Sequence, residues 1–485
     1  MSATVLAEDI IYYITLHLTA TSSRSARQAL ARLARAHSSF TKPALAVLWR
    51  SLPNAKALEH LLRVVGVAQR HPQNGQQDTP PLELCGTLAT HESAWKRFQE
   101  YASLVRKITL DPFVPTPRDL NFLFNFPSDV VEDTFWRQLS SVYGATVTSI
   151  LPRLEVVTLR SRDSVRFSAF DMSMLCFLTP SVREFNVDVS GVSPEGRGKF
   201  LQSFTVCFSS VQDLERISLR LETLVPVLDV GSLPRLHPRL RRLELRPTIE
   251  PNELALLASL HNLEYLSVNL SHWESPTLPV KFTGLRSLAM SSYQSNAISA
   301  FIADVDAPQL RSFTIDETHK DPKEMCRELS NCLRTLVAKW PSLTAFHWNS
   351  TQSWGGDGGG ASPLTELIGP LLSLRTIRNF SASFHRVMAT CSPTDFRAIA
   401  EAWPDIETID LPIIDDNVDQ YADVESLVSF AHHCPRLHSL LIPKVKFDPN
   451  ASAAVVCRTA PHWLRRLDVA SLVFSGEQDA ASQGV

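Results

Sequence analysis

Two glycine-rich stretches have the composition of loops that cradle phosphate groups. A Walker-type loop needs a glycine followed five residues later by Gly-Lys, but in residues 191–199 (GVSPEGRGK) Gly196 is followed by Arg197. The run at residues 355–360 (GGDGGG) has no strand leading into a helix at the register of a dinucleotide-binding turn. Both stretches are therefore predicted to be connections, and neither predicts a nucleotide site.

Histidine and cysteine groups are the next candidates for chemistry. His432, His433 and Cys434 are consecutive, and Cys326 and Cys332 are close in sequence, yet neither group has a second pair at zinc-site spacing. Each group falls at the end of a predicted helix or inside one, where packing or surface exposure accounts for it. No nucleophile elbow, zinc-protease helix or kinase signature occurs. We therefore predict no catalytic residue, no metal and no cofactor.

Composition and charge limit the class of protein. The 485 residues are 44% hydrophobic and 20% charged, with a net charge of -3, which is ordinary for a folded chain and gives no reason to expect nucleic acid or a membrane as partner. Eight scattered cysteines are typical of a reducing compartment. The N-terminal segment has no positive n-region, and no run of about 18 apolar residues occurs. We expect a cytoplasmic or nuclear protein.

A repeated pattern organises the chain from about residue 105 onward. It has the form apolar-x-x-apolar-x-apolar, and from Leu154 its first positions lie 22 to 33 residues apart. The copies are Val105-Ile108-Leu110, Leu154-Val157-Leu159, Val182-Phe185-Val187, Leu214-Ile217-Leu219, Leu240-Leu243-Leu245, Leu263-Leu266-Val268, Leu285-Leu288-Met290, Leu310-Phe313-Ile315, Leu343-Phe346-Trp348, Leu374-Ile377-Phe380, Ile406-Ile409-Leu411, Leu437-Leu440-Ile442 and Leu464-Leu467-Val469. The copy at Leu374 is irregular in its last spacing.

The spacing inside each copy predicts a short strand with one buried face, because its last two apolar positions are two residues apart. Helical patterns follow between copies, at residues 251–260, 322–340, 395–403 and 424–433. Proline after Trp340, Trp403 and Cys434 ends a helix and begins the turn into the next strand. The alternative is a set of unrelated amphipathic elements in one large α/β domain.

The predicted fold is thus an α/β leucine-rich-repeat solenoid at residues 105–474, a horseshoe with parallel strands on the concave side and helices outside. Residues 1–66 instead predict short amphipathic helices, with Pro43 at a helix start and Asn54 capping a helix that ends at Gly66. A loop and a linker helix occupy residues 67–104, and residues 475–485 form a tail.

The N-terminal residues resemble a known family. The stretches LAEDII at 6–11, LARLARAHSSF at 30–40 and PALAVLWRSL at 43–52 resemble the divergent F-box of fungal F-box proteins with leucine-rich repeats. The segment WKRFQEYASLVRKI at 95–108 resembles the helix that leads those proteins into their first repeat. Ala7 departs from the family, which has proline there, and so does the pair Ala36-His37.

The resemblance implies a substrate receptor of an SCF-type ubiquitin ligase, whose F-box binds a Skp-family adaptor in a cullin complex while the repeats hold a target protein. The adaptor-facing or core positions implied are Leu6, Ile10, Ile11, Leu48 and Trp49. Alternatively, these residues only pack a helical cap on the first repeat. A scaffold or regulator with no link to ubiquitination is the competing function.

The target-binding surface is predicted on the strands. Residues flanking the last two apolar positions of each copy point away from the core. In the early copies they include five arginines: Arg160, Arg216, Arg220, Arg242 and Arg246. Arginine matches carboxylate and phosphate geometry, so an acidic or phosphorylated target segment is expected. The alternative is that these arginines serve only solubility.

Overall fold

The computed structural model describes residues 13, 15, 24–70, 82–85, 92–110, 138–139, 150–161, 177–189, 208, 211–221, 230–270, 273–274, 276, 279–292, 295–317, 322–350, 362–383, 389–411, 421–447 and 463–474. The chain divides into two compact units. Met1–Asp229 with Arg235–Leu240 make up the first unit, and Val230–Pro234 with Arg241–Val485 make up the second. The glycine-rich stretches at 191–199 and 355–360 and the tail at 475–485 lie outside the described residues.

The first unit begins with helices. α1 (Arg24–Ala36) packs against α2 (Ser38–Arg50), and His37 caps α2 by accepting a hydrogen bond from the Ser39 N–H at 3.2 Å. Pro43 lies inside α2, so its predicted place at a helix start was wrong: the imidazole of His37 caps the chain one turn earlier. α3 (Lys56–Val64) follows. Gly66 ends it as predicted, with φ +85°, a conformation that favours glycine.

The residue before α3 corrects a second prediction. Asn54 does not cap the helix, because the capping position is Ala55, whose side chain accepts no hydrogen bond. The predicted linker helix is present as α4 (Glu92–Ala102), in which Trp95, Phe98 and Ala102 are buried.

Parallel strands form the sheet of the first unit. In spatial order they are β1 (Ser51–Leu52), β4 (Lys107–Leu110), β5 (Val156–Ser161), β6 (Glu184–Val189) and β7 (Arg216–Leu221). β2 (Ala68–Arg70) and β3 (Leu82–Leu84) form a separate antiparallel pair. Because β1 follows α2 directly and pairs with β4, the helices lead straight into the sheet of the repeats.

The second unit repeats a strand and a helix. The strands of its main sheet are β8 (Arg242–Thr248), β9 (Tyr265–Leu270), β11 (Ser287–Ser292), β13 (Ser312–Glu317), β14 (Ala345–Ser350), β16 (Asn379–Ser383), β18 (Thr408–Asp410) and β20 (Ser439–Phe447), in that order. β19 (Ala422–Asp423) and β21 (Arg466–Phe474) both pair with β20. The short parallel pairs are β10 (Val280–Lys281) with β12 (Val305–Asp306), and β15 (Ser362–Pro363) with β17 (Ala389–Thr390).

The helices lie between the strands in sequence. They are α5 (Leu233–Leu236), α6 (Pro251–Leu257), α7 (Ser295–Asp304), α8 (Pro322–Lys339), α9 (Leu364–Leu372), α10 (Pro393–Ala402) and α11 (Val424–His433). A 3-10 turn, Val230–Ser232, precedes α5. The four helices predicted from the sequence are confirmed as α6, α8, α10 and α11. No helix in the described part of the chain is long and apolar enough to cross a membrane.

The apolar positions of the repeat form the core. Phe313, Phe346 and Phe380 lie in register on successive strands and are buried, with neighbouring ring centroids 6.4 Å and 6.3 Å apart. Side chains from the helix ends cover them, since Trp340 lies 5.5 Å from Phe313 and Trp403 lies 4.8 Å from Phe380. One repeat alone could not bury these rings, so the repeats stabilise one another.

One copy of the motif has a different register from the one predicted. Phe380 pairs with Phe346 and with Ile409, which makes the regular motif Ile377-Phe380-Ala382 rather than Leu374-Ile377-Phe380. Ala382 is fully buried at a position where neighbouring strands have larger side chains such as Trp348. The small size of Ala382 hid the motif in the sequence.

A recurring turn connects each helix to its strand. The backbone carbonyls of Trp340, Trp403 and Cys434 each accept a hydrogen bond from the amide three residues later, the first motif residue, at 3.0–3.1 Å. The proline that follows each of them sits at the second turn position, where its fixed φ is favoured. His237 holds the same position in the first unit, with Leu240 as donor at 3.1 Å. The prediction that proline ends these helices is confirmed.

Candidate protein-binding surface

Each long strand has one buried face and one open face. Along β9 the side chains alternate between half-buried Tyr265, Ser267 and Asn269 and buried Leu266 and Val268. The same alternation places the five predicted arginines at positions of the open face. This geometry gives each unit a polar surface made of parallel strands.

On the first unit the arginines are interleaved with acids. Asp188 lies in register between Arg160 on one neighbouring strand and Arg220 on the other. A guanidinium nitrogen of Arg216 lies 3.4 Å from a carboxylate oxygen of Glu184. The arginines therefore form a mixed surface with carboxylates at adjacent register positions, which an acidic ligand would have to compete with.

On the second unit Arg242 and Arg246 have other surroundings. The Arg242 guanidinium carbon lies 3.9 Å from the centre of the Tyr265 ring, a cation–π contact. The backbone carbonyl of Arg246 accepts a hydrogen bond from the Asn269 side chain at 3.1 Å. Stacking on a ring leaves the edge of the Arg242 guanidinium able to donate hydrogen bonds to a ligand.

Further along the second unit, two acids and a histidine share the open face. Burial raises the pKa of Asp316, although a hydrogen bond from Asn349 and the charges of Arg246 and His347 act against the rise. Burial also lowers the pKa of His347, against the attraction of Asp410 and Asp316. These shifts mark a part of the surface where ionised groups are poorly solvated.

A second charged surface lies along the N-terminal ends of the strands in each unit. It was not predicted from the sequence. The residue after the first motif position alternates in charge between repeats from Arg106 to Arg286, and its backbone carbonyl accepts hydrogen bonds from the next repeat. The resulting ion pairs are Arg106–Glu155 at 3.6 Å, Arg183–Glu215 at 2.6 Å, Arg241–Glu264 at 3.7 Å and Arg378–Glu407 at 3.5 Å. The charge alternation at that single motif position was the available signal.

The N-terminal candidates fall partly outside the described residues: Leu6, Ile10 and Ile11 do so. Leu48 and Trp49 lie at the end of α2, and both are half-buried. The ring of Trp49 packs against Tyr101 of α4, with centroids 5.5 Å apart. Trp49 therefore contacts α4 of the same unit.

The cysteine candidates for metal binding that the structure describes are buried, whereas the histidine candidates are exposed. Cys434 is buried, and its sulfur lies 3.4 Å from the Ala400 carbonyl; burial raises its pKa to about 12. The exposed rings of His432 and His433 contact each other at 4.6 Å. Cys332 is buried, and the side chain of Cys326 lies outside the described residues. Among described residues, no group of three or more His, Cys, Asp or Glu could hold a metal ion.

The chain matches no known family model. It also matches no curated protein sequence. It is similar to solved structures that include the leucine-rich-repeat domain of APL1B, with 13% identity, a TM-score of 0.26 and coverage of 73% of this chain and 93% of that one. It is also similar to a leucine-rich-repeat protein of Leptospira interrogans, with 13% identity, a TM-score of 0.27 and coverage of 69% of this chain and 88% of that one. A third similar structure is that of a protein of Bacteroides fragilis, with 9% identity, a TM-score of 0.28 and coverage of 82% of this chain and 90% of that one.

At such TM-scores the likeness carries no argument, so the fold assignment rests on the strand register. Successive copies of one motif form parallel strands, with their apolar positions aligned and buried and helices between them. The chain therefore has an α/β leucine-rich-repeat fold with an N-terminal helical module.

Proposed function

We propose that this protein is a non-catalytic substrate receptor of an SCF-type ubiquitin ligase. In this proposal the helical module docks a Skp-family adaptor, and the open face of the repeats holds a target protein. The observation that carries the proposal is the direct passage from α2 into the first sheet through β1, whose Ser51 and Leu52 pair with Lys107 and Ile108. A module joined in this way would hold a bound target and a bound adaptor on one folded body.

The end of α2 supports the docking role. Leu45 and Leu48 are both half-buried there, so part of each leucine side chain is accessible to a partner. Apolar groups at a helix surface gain stability when a second protein removes them from water. The resemblance of residues 6–11, 30–40 and 43–52 to the F-box supports the same role, with Leu6, Ile10 and Ile11 as further adaptor contacts.

For the target, we propose that an acidic or phosphorylated segment engages Arg160, Arg216 and Arg220 on the first unit, or Arg242 and Arg246 on the second. The 3.4 Å contact between Arg216 and Glu184 is between exposed or half-exposed groups, so it contributes little stability. A ligand phosphate would compete with Glu184 for Arg216 against a weak existing contact.

One contact favours a second candidate function. The packing of Trp49 against Tyr101 is what a helical cap for the first repeat would need. A repeat scaffold or regulator with no link to ubiquitination would use the same open faces, and its N-terminal helices would only cover the sheet edge.

Co-purification of the full chain with a Skp-family adaptor separates the two candidates. The first predicts a stable complex that is lost in Leu48→Glu and weakened in Leu48→Ala. The matched control is Leu256→Glu, which places the same charge on α6 at a leucine that is 45% exposed. If wild type and the control bind no adaptor while their melting curves are normal, the scaffold function is the correct one.

A further inference from the structure

The middle strands of the second unit have small, uncharged side chains on their open face. On β11, β13, β14, β16 and β18 these positions hold serine, threonine, alanine and asparagine, for example Ser291, Thr314 and Ser381. The exceptions at the described open-face positions of these strands are Asp316, His347 and Asp410. We call this surface the acidic floor.

The register fixes the arrangement of the two carboxylates. Thr314, His347, Ser381 and Asp410 occupy one row across four neighbouring strands, and Asp316 aligns with Asn349 two positions further along. From β13 to β18 there are three strand spacings, so Asp316 and Asp410 lie about 16 Å apart. That separation is too large for one metal ion or one small cation to contact both groups.

The environment of Asp316 is unfavourable for its own charge. Burial is the largest influence on the group and raises its pKa, and only one hydrogen bond, from Asn349, and the charges of Arg246 and His347 oppose that effect. His347 is also partly desolvated, which lowers its pKa against the attraction of Asp410 and Asp316. A cation brought by a partner would stabilise the ionised form of Asp316 further.

The small side chains of the acidic floor let another chain approach the strands closely. Tyr265 on β9 and Leu441 on β20 are larger residues at open-face positions on either side of these strands. An extended segment advances about 3.3 Å per residue and its side chains alternate between two faces, so side chains four or six residues apart would reach the two carboxylates together.

We propose that the acidic floor binds an extended segment of a partner protein that carries two lysine or arginine side chains, one at Asp316 and the other at Asp410. The proposal rests on the proposed function only in that the repeats bind a protein, and it does not depend on the adaptor. It commits to a different partner chemistry from the arginines, because the charged residues of this surface are acidic. Arginine in the segment would also donate to serine and asparagine oxygens on the floor.

A display library of random 12-residue peptides, selected on the immobilised full chain, tests the proposal. Selected peptides are expected to be enriched in pairs of Lys or Arg four or six residues apart, which lie on one face of an extended segment. The tightest selected peptide is then labelled, and its affinity for the full chain is measured by fluorescence anisotropy. Asp316→Asn and Asp410→Asn should each weaken binding about tenfold, as expected for losing one charge pair at an interface.

Two controls make the test specific. Glu244→Gln removes an acid from the open face of β8, outside the acidic floor, and should leave the affinity unchanged. Asp410→Lys should reject the selected peptide, and replacing one of the peptide's basic residues by glutamate should restore binding to that variant.

Three results would overturn the proposal: no enriched peptide, enrichment of acidic or neutral peptides, or equal affinity of wild type and the two Asp→Asn variants. Because no adaptor takes part, failure here is separate from failure of adaptor binding. Thermal melts of each variant show that a loss of affinity is not a loss of folding.

Discussion

The carboxylate of Asp395 accepts a hydrogen bond from the backbone N–H of Thr365, a residue of the preceding repeat, at 3.1 Å. The same carboxylate caps α10 by accepting from the Ser392 N–H at 2.8 Å, and it is almost fully buried. Although burial raises its pKa, these hydrogen bonds from Ser392 and Thr365 outweigh that effect, and the pKa of Asp395 lies below its usual value. The ionised side chain therefore joins two helix starts.

Replacing Asp395 by alanine should lower the free energy of unfolding by about 2–4 kcal/mol, because the helix cap and buried donors lose their acceptor. Urea unfolding measures the change. The matched control is Asp405→Ala, which removes an exposed carboxylate 3.4 Å from Arg436 and should cost less than about 1 kcal/mol. Equal losses in the two variants would show that Asp395 does not join the repeats.

His237 should make stability depend on pH. It is fully buried beside Phe208, and burial lowers its pKa from 6.5 to about 4, although the backbone of Val211 acts against the shift. The unfolded chain takes up a proton below pH 6.5 while the folded chain does not, so stability is complete above that pH and falls between 6.5 and 4. The loss from pH 7.5 to pH 5 should be about 2 kcal/mol.

The variant His237→Leu isolates this contribution. Leu151 and Leu260 hold the same turn position in other repeats, so leucine fits the turn. Urea unfolding at the two pH values should show a smaller difference for the variant than for wild type. If both lose the same stability on acidification, His237 is not the group that titrates.

Two glycines should respond differently to alanine. A Cβ on Gly284 would lie 2.7 Å from the His261 carbonyl oxygen, whereas one on Gly369, within α9, would meet nothing within 4 Å. Gly284→Ala should lower the free energy of unfolding by about 1–3 kcal/mol, because the backbones of two repeats must separate. Gly369→Ala should change it by less than about 1 kcal/mol, because alanine favours helix while Pro370 disfavours the helical conformation for a preceding residue that carries a Cβ. If Gly284→Ala is as stable as wild type, the backbone at Gly284 can shift away from the His261 carbonyl without loss of stability.

The arginines of the first unit should bind anions. Replacing Arg160, Arg216 and Arg220 by serine should weaken binding of a phosphorylated or acidic peptide at least about tenfold, which fluorescence anisotropy measures. The control is Arg183→Ser, which removes an arginine already paired with Glu215 at 2.6 Å at the N-terminal ends of the strands. Unchanged affinity in the triple variant would leave these residues only a role in solubility.

The strands of this fold could be predicted because each alternates between buried and open positions, and the sequence records that alternation. The copy at Ile377 was misread because Ala382 is too small to stand out as apolar. Pro43 and Asn54 were misplaced for a different reason: His37 and Ala55 precede the helices, and neither is a residue whose sequence context marks a cap.

The candidate surface was predicted less completely than the strands. The open-face arginines follow from strand periodicity, but the position of Asp188 between Arg160 and Arg220 depends on register between strands about 30 residues apart. The turn position shared by His237 and Trp340 becomes evident only once the hydrogen bonds align the repeats. Contacts between repeats depend on register, which a single sequence does not specify.

Hydrogen–deuterium exchange of the full chain, with and without a Skp-family adaptor, tests the central claim most directly. The proposed receptor predicts slower exchange in α2, around Leu45 and Leu48, and unchanged exchange in β8, β9 and β11, which remain available to a target. Absence of protection in α2 at saturating adaptor, or protection on those strands instead, would contradict the assignment of adaptor binding to the helical module.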